Sequence, residues 1–361
     1  MDTRKEQGQD FAPGVMLPKS VEPEMTKLDE ATGMPMPDGK IKKAASPLQD
    51  SLRRLRQDKR AMFSIGVIAF FIVLAIAGPL IYLHVGGPYT SNINGVTYGP
   101  QDYHSYYHEE LDRLHELPSA QYWLGTDDIG RDILGRLMQG ILISLAVALV
   151  VEIVDVTLGI TVGVLAGFYG GWIDQLLARF TDLMFAFPGL LFVILLTGIF
   201  GTAADDAFSH IPVIGANGNA RLLLVSLALA FTAWPLMARY VRGQTLQLKE
   251  QQFVEAAHTS GTTNTRIILR HIIPNLFSIV VVVATLDISG TIVGEAGISL
   301  LGLGVQAPGS SIGLMIAQAS QYVSTNPWEV LVPSIALALI VLAFSFLGDG
   351  LRDAFDPRSK D

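Results

Sequence analysis

Long apolar runs, separated by polar segments, dominate the sequence from residue 62 onward. Six of these runs approach or exceed the roughly 20 residues that an α-helix needs to cross the hydrocarbon core of a bilayer. They cover residues 62–83, 138–167, 183–201, 221–241, 275–297 and 329–348. The pattern therefore predicts an all-α polytopic membrane protein with six transmembrane helices.

Two polar segments precede the first predicted span. Residues 1–47 are rich in Pro, Gly and Met and keep no helical or strand period, which predicts a disordered cytoplasmic tail. Residues 48–60 place Leu48, Leu52 and Leu55 at helical spacing among basic side chains, which predicts an amphipathic surface helix on the membrane lipid. No cleavable signal peptide is evident, so we expect the first span to remain in the mature protein.

The charges of the connecting segments predict an orientation. Basic residues are concentrated just before the first span and in the loop 242–274, whereas acidic residues dominate the loop 84–136. By the positive-inside rule, we expect both termini and residues 242–274 to be cytoplasmic and residues 84–136 to be external.

Composition removes several classes of function. The chain has no cysteine, which excludes disulfides, thiolate metal sites and a Cys nucleophile, and its net charge of −8 argues against nucleic acid as a partner. It contains no phosphate-binding loop, nucleophile elbow or zinc-protease helix, so no catalytic residue is predicted. His104 and His108 share a helical spacing next to Glu109, but the spacing fixes no third ligand, and we predict no metal site.

Four acidic residues fall inside predicted spans, where an ionisable group is a functional hypothesis by default. They are Glu152, Asp155, Asp287 and Glu295. Glu152 and Asp155 are spaced i, i+3 and share a helix face, so they could form a proton relay. The more ordinary interpretation is that they face a subunit interface or a hydrated cavity, or lie near a helix end. Asp287 is the candidate cavity-facing group.

The segment 250–275 predicts a short helix, a sharp bend and a second helix that enters the membrane. Gly261 is expected to end the first helix, and Thr263 or Asn264 to cap the second. Pro274 stands where the next span is predicted to begin. The exposed first helix could fit a groove on a cytoplasmic partner and act as a lever; the alternative is an ordinary loop with a surface helix.

This segment resembles the EAA loop of ABC importer permeases at Glu255, Ala256, Ala257, Gly261, Ile273 and Pro274. His271 departs from the family's general pattern, which has Ile at that position. Five further segments, in order, resemble the C-type permease subunits of dipeptide and oligopeptide importers in the peptide/nickel branch. They are residues 123–132, 167–174, 187–188, 300–304 and 348–353. Ile312 replaces a Trp that the family often has in this region.

The resemblance implies the ABC importer permease fold, in a bacterial or archaeal inner membrane, with residues 242–274 as its cytoplasmic EAA coupling loop. It assigns ATPase coupling to Glu255, Ala256, Ala257, Gly261 and Pro274, and a structural or gating role to Glu295. It further implies a pathway for peptides that works by alternating access. A nickel chelate or another solute remains open as the substrate.

The same resemblance implies the partners. It calls for two cytoplasmic ABC ATPase subunits that bind ATP and Mg²⁺, a second homologous permease and an extracytoplasmic peptide-binding protein, with no cofactor in this chain. Two alternatives come from other classes. One is a proton-coupled secondary transporter that uses Glu152, Asp155 or Asp287, and the other is a membrane-embedded assembly subunit.

Overall fold

A computed structural model describes residues 47–208, 210 and 220–356. The predicted tail, up to residue 46, lies outside these residues. Helix α1 covers Pro47–Gln57 and helix α2 covers Lys59–Tyr82. Between them, the Asp58 carboxylate accepts hydrogen bonds from the backbone N–H groups of Arg60 (2.8 Å) and Ala61 (3.4 Å) and caps α2. The surface helix therefore ends at residue 57, before its predicted end at residue 60.

The segment after α2 is a small folded unit rather than a simple loop. Strands β1 (Tyr89–Thr90) and β2 (Thr97–Tyr98) form an antiparallel pair, and helix α3 covers Pro100–Tyr103. His104 Nδ1 lies 2.6 Å from a carboxylate oxygen of Asp132, and both side chains are buried. Burial raises the pKa of the Asp132 carboxyl, and the hydrogen bond with His104 opposes that shift.

Asp132 also caps the longest helix of the described chain. Its side chain accepts a 2.9 Å hydrogen bond from the backbone N–H of Leu134. Helix α4 consequently begins at Ile133, before the predicted start at residue 138, and runs to Tyr169.

The remaining elements complete a helical membrane fold. They are α5 (Gly171–Ala186), α6 (Gly189–Phe208), α7 (Ala220–Lys249), α8 (Gln252–Thr259), α9 (Asn264–Ile267), a π-helical turn (Ile268–Ile272), α10 (Ile273–Leu300), α11 (Ile312–Ala319), a 3₁₀ turn (Ser320–Tyr322) and α12 (Pro327–Phe355). Within the described residues, six helical segments are long and apolar enough to cross a membrane. They are Lys59–Tyr82, Ile133–Tyr169, Gly189–Phe208, Arg221–Lys249, Asn264–Leu300 and Pro327–Phe355. The predicted all-α fold with six membrane helices is confirmed.

The third of these helices differs from the predicted range 183–201. Helix α5 ends at Ala186, and Phe187 is extended, with φ −74° and ψ 131°. Pro188 explains the break, because its ring disfavours the helical conformation in the preceding residue and it has no N–H to donate. The membrane-length helix therefore starts after the proline, at Gly189.

Four apolar clusters lie among the described residues, and two of them join most of the long helices. The first joins α2, α4, α10, α11 and α12, with Ile141 and Ile292 fully buried. The second joins α4, α7, α8, the π turn and α10 around Val241, Val254 and Ile272. The second cluster attaches the short helix α8 to three of the membrane helices.

Candidate coupling site

Helix α8 lies between two long helices and is anchored by one side chain. Helix α7 continues to Lys249, beyond the predicted span end at residue 241, and Gln251 then adopts an extended conformation before α8 begins. Val254 is 1% exposed and packs in the second apolar cluster, whereas Glu255 and Ala256 are exposed and Ala257 is half-buried. The helix thus buries one face and presents Glu255 and Ala256 to the surroundings.

The end of α8 is a Schellman turn centred on Gly261. The N–H of Thr262 donates to the carbonyl of Ala257 at 3.1 Å, and the N–H of Gly261 donates to that of His258 at 3.0 Å. Gly261 has φ +75°, in the left-handed region that side chains with a Cβ enter only at a cost. A Cβ there would meet no atom within 4 Å, so the requirement for glycine comes from the backbone alone.

The second helix of the segment is continuous with the next span, in contrast to the predicted boundary at Pro274. The helical segment runs from Asn264 to Leu300 and includes the π-helical turn at residues 268–272. A proline in a helix cannot donate to the carbonyl four residues back, and its ring crowds that carbonyl. The wider π turn lies immediately before Ile273 and Pro274, and there the helix accommodates the missing backbone hydrogen bond of the proline.

A row of glycines on α4 brings α7 into close contact. A Cβ on Gly163 would lie 2.6 Å from the carbonyl oxygen of Ala238, and one on Gly167 would lie 2.9 Å from that of Arg242. Small residues at such an interface let two helix backbones approach closely, as is common between membrane helices. Helix α7 is therefore held tightly against α4 along the stretch that leads to α8.

An ion pair fixes the C-terminal half of α7 to α5. Arg242 donates from Nε to one Asp174 carboxylate oxygen at 2.5 Å and from Nη2 to the other at 2.8 Å. The two-bond hydrogen bonding from Arg242 holds the pKa of the Asp174 carboxyl below its usual value. The turn that places Asp174 here includes Gly170, at φ +66°.

Two exposed apolar side chains lie on α8 and on the π-helical turn. Phe253 and Leu269 are 42% and 61% exposed, and Leu269 lines an open cavity of about 480 Å³ together with Arg266, Arg270 and Pro274. Such groups mark a protein-interaction surface when they cluster. The sequence analysis named Pro274 but not Phe253 or Leu269. The available signal was Phe253, an apolar residue two positions before Glu255.

The four membrane acids fall into two kinds of environment. Glu295 is fully buried and accepts hydrogen bonds from Ser144 (2.8 Å) and Ser299 (2.7 Å), so it ties α10 to α4. Glu152 and Asp155 are 9% and 0% exposed, and within the described residues none of their carboxyl oxygens has a hydrogen-bond partner. Asp287 is half-buried on α10. Glu295 therefore has hydrogen-bond partners that join two helices, whereas Glu152 and Asp155 have none among the described residues.

The described residues contain no cluster of three or more His, Asp or Glu side chains arranged to hold a metal ion. His104 contacts Asp132 and the carbonyl of Val85, and His108 lies 3.4 Å from Glu110.

Known proteins are similar to most of this chain. A family model described as binding-protein-dependent transport system inner membrane component matches residues 159–361, and the N-terminal transmembrane domain of oligopeptide transport permease C matches residues 46–106. The dipeptide transport system permease protein DppC of Alkalihalophilus pseudofirmus is 35% identical over 317 residues, covering 88% of this chain and 92% of that protein. The glutathione transport system permease protein GsiD of Escherichia coli is 36% identical over 325 residues, covering 90% and 95%.

Among solved structures, a chain of the MetNI methionine ABC transporter in an inward-facing conformation aligns with a TM-score of 0.46 and 20% identity, over 61% of this chain and 96% of that chain. The family model covers more than half of the chain, and the two relatives cover nearly all of it. This chain therefore belongs to the binding-protein-dependent transport system inner membrane components, as a C-type permease subunit of the peptide branch of ABC importers.

Proposed function

We propose that this chain forms half of a translocation pathway for peptides and that helix α8 couples the pathway to a partner ATPase. The observation that carries the proposal is the placement of α8. Val254 anchors it in the core while Glu255 and Ala256 face outward, between the helices α7 and α10 that both enter the membrane.

Membership of the family indicates where this chain lies and which kinds of subunit accompany it. The chain is a multi-pass inner-membrane subunit, and nucleotide binding in this family takes place in partner ATPases beside a second permease. We propose that its partners are two cytoplasmic ABC ATPases that hold ATP and Mg²⁺, one homologous permease and an extracytoplasmic peptide-binding protein. With α8 on the ATPase side, both termini are cytoplasmic and α1 lies on the inner lipid surface, where its Arg53 and Arg56 side chains are exposed.

We propose peptides as the substrates because both relatives are named as peptide permeases. The names of the two relatives specify a dipeptide and glutathione, itself a short peptide. A nickel chelate is the alternative substrate, and uptake of labelled trialanine, compared with uptake of labelled nickel by the same reconstituted complex, distinguishes the two.

The geometry suggests how movement is transmitted. ATP-driven closure of the ATPases displaces α8, and Val254 carries that displacement into the second apolar cluster. On one side α7 is fixed to α4 by the glycine row and to α5 by the Arg242–Asp174 pair. On the other side the helical segment from Asn264 to Leu300 runs without interruption into the membrane. The two sides move as packed units, so alternating access follows from a rotation of helices rather than from local unfolding.

The proposal is tested by site-specific photo-crosslinking in the assembled transporter. A photoreactive amino acid replaces Ala256 on α8, and the matched control replaces Ile93, a 63% exposed residue of the folded unit after α2. We expect the Ala256 probe to link to an ATPase subunit, identified by mass spectrometry, and the Ile93 probe not to do so. Equal yields from both positions, or no ATPase adduct from Ala256, would contradict the proposal.

A further inference from the structure

Glu152 and Asp155 are buried acids with nothing in the described chain to satisfy them. Both lie near the middle of the 37-residue helix α4, one of the helices long and apolar enough to cross a membrane. Glu152 is 9% exposed and Asp155 is fully buried, and none of their four carboxyl oxygens has a hydrogen-bond partner among the described residues. A buried carboxylate without a partner is costly, so such a group either stays protonated or takes a donor from outside the chain.

The two acids stand beside a third on another helix. Asp287 of α10 precedes Ile288, which lines the same cavity as Glu152. When ionised, the three carboxyl groups can only accept hydrogen bonds. No described basic side chain donates a hydrogen bond to them or forms an ion pair with them. A cation with several N–H donors is the chemical complement of this arrangement.

A groove lies beside the first of these acids, although the carboxyl oxygens of Glu152 are themselves buried. Helices α2, α4, α10 and α12 enclose a cavity of about 370 Å³, lined by Ile72, Leu145, Leu149, Ile288 and Phe344 among others, with Glu152 as the only polar side chain among the described lining residues. Cavities of about 300–1,000 Å³ with apolar walls and few polar groups suit small molecules. An intact helix, about 10 Å across, is a poor match for so small a space.

We propose that Glu152 and Asp155, with Asp287 beside them, bind the ammonium group of the transported peptide, whose apolar side chains occupy the groove. An ammonium group carries three N–H donors and no acceptor, so it can satisfy several carboxylate oxygens at once. This assignment rests on the proposed function, because it takes the transported solute as the ligand. A lipid headgroup is the poorer source, because it lies at the membrane surface whereas both acids are buried near the centre of a membrane-length helix.

The position of Asp287 links the site to coupling. Asp287 lies on the helical segment Asn264–Leu300, which leaves the coupling site without interruption, whereas Glu152 and Asp155 lie on α4. Because the Ser144–Glu295 hydrogen bond joins α10 to α4 about two turns beyond Asp287, movement of α8 would shift Asp287 relative to the other two acids by a pivot of α10 about that contact. A bound ammonium group would lose part of its coordination in that movement, which favours release of the peptide during the transport cycle.

Chemical labelling tests the site in the complete transporter, reconstituted in nanodiscs. Dicyclohexylcarbodiimide, a membrane-soluble reagent for carboxyl groups, is applied with n-hexylammonium or with uncharged n-hexanol, and modification of Glu152 and Asp155 is followed by mass spectrometry. We expect both acids to react and n-hexylammonium, but not n-hexanol, to slow the reaction about ten-fold or more. Failure to react in the assembled complex would mean that another subunit already satisfies these acids, and unprotected reaction would mean that no ammonium binds. Either result overturns the proposal.

Uptake separates this proposal from the proposed function. Glu152→Gln should lower uptake of trialanine about ten-fold or more, because one charge-assisted hydrogen bond to the ammonium group is lost. The yield of assembled complex should not fall. Thr157→Val is the matched control, because Thr157 is exposed on the same helix and its hydroxyl donates to the carbonyl of Ile153. Wild-type-like uptake by Glu152→Gln would overturn the ammonium site and leave the importer function standing. A wild-type complex that hydrolyses ATP without any peptide uptake would instead defeat the proposed function, and the labelling result would still decide whether the acids bind a cation.

Discussion

Arg242 and Asp174, 68 positions apart in the chain, make two parallel hydrogen bonds of 2.5 and 2.8 Å. The pair joins α7 to the first turn of α5, just before α7 leads into the coupling helix. Planar, two-bond pairing of this kind is geometrically demanding, and lysine cannot reproduce it. It is therefore a fixed point about which α8 is positioned.

Breaking this pair should impair coupling. We expect Asp174→Asn to lower uptake several-fold, because α7 loses its attachment at the base of the lever. The control is Asp182→Asn, since Asp182 makes a single 2.8 Å bond to Arg239 and both side chains are largely exposed, which makes that pair weak. Uptake assays in proteoliposomes compare the two. A larger loss from Asp182→Asn would show that the Arg242–Asp174 pair has no special role.

The same pair predicts a pH dependence. Hydrogen bonding to Arg242 lowers the pKa of Asp174, so its stabilising effect is fully present above the ordinary carboxyl pKa of about 4 and is lost as pH falls through the lower, folded-state value. The melting temperature of the wild-type complex should exceed that of Asp174→Asn near neutral pH, and the difference should shrink in acid. Thermal denaturation between neutral and acidic pH measures this. A difference that grows as the pH falls would reverse the assigned sign.

Close packing at Gly163 should be needed for stability. A Cβ at this position would lie 2.6 Å from the Ala238 carbonyl oxygen and 2.7 Å from the Val241 Cβ, so Gly163→Ala forces α4 and α7 apart. We expect a loss of about 1–3 kcal/mol in stability. Gly290→Ala is the control, because a Cβ on this exposed residue of α10 meets nothing within 4 Å. Melting temperatures of the purified complexes should fall for the first variant only.

Orientation can be read from single cysteines, since the natural chain has none. We expect Ile93→Cys to react with an impermeant maleimide in intact cells, and Gln57→Cys and Gln252→Cys to react only after the membrane is permeabilised. Reaction of Gln252→Cys in intact cells would place the coupling helix outside and remove it from reach of a cytoplasmic ATPase.

Sequence reasoning succeeded where the signal is local. Apolar run length predicted the six membrane helices, and the glycine after the Glu-Ala-Ala run predicted the end of α8, because a single residue at φ +75° determines that turn. Helix boundaries were less accurate, since the Asp58 and Asp132 caps and the Pro188 break override hydrophobicity at the ends of the runs.

Long-range pairings were beyond the reach of the sequence alone. Nothing local indicates that Ser144 donates to Glu295, 151 positions away, or that Arg242 selects Asp174. Composition likewise could not show that Glu152 and Asp155 lack partners among the described residues while Glu295 has them, because all three are acids in apolar runs. Only the packing of the helices distinguishes them.

Glu255 should contribute to docking of the ATPase through a charge-assisted contact worth about 1.5–3 kcal/mol if it becomes buried there. We therefore expect Glu255→Ala to lower the yield of co-purified ATPase moderately. Gln252→Ala, an exposed position at the start of the same helix, is the control. Equal ATPase yields from wild type and Glu255→Ala would show that this carboxylate makes no such contact.

The most direct test of coupling through α8 is peptide-stimulated ATP hydrolysis by reconstituted complexes that carry Gly261→Val or Gly243→Ala. At both glycines a Cβ would meet no atom within 4 Å, but only Gly261 of the two has a positive φ. A valine there costs about 1–2 kcal/mol or more in backbone strain and redirects α8, whereas alanine suits the helical backbone at Gly243. The account predicts that Gly261→Val loses stimulated hydrolysis and uptake while Gly243→Ala keeps both. Wild-type stimulation and uptake in Gly261→Val would contradict it.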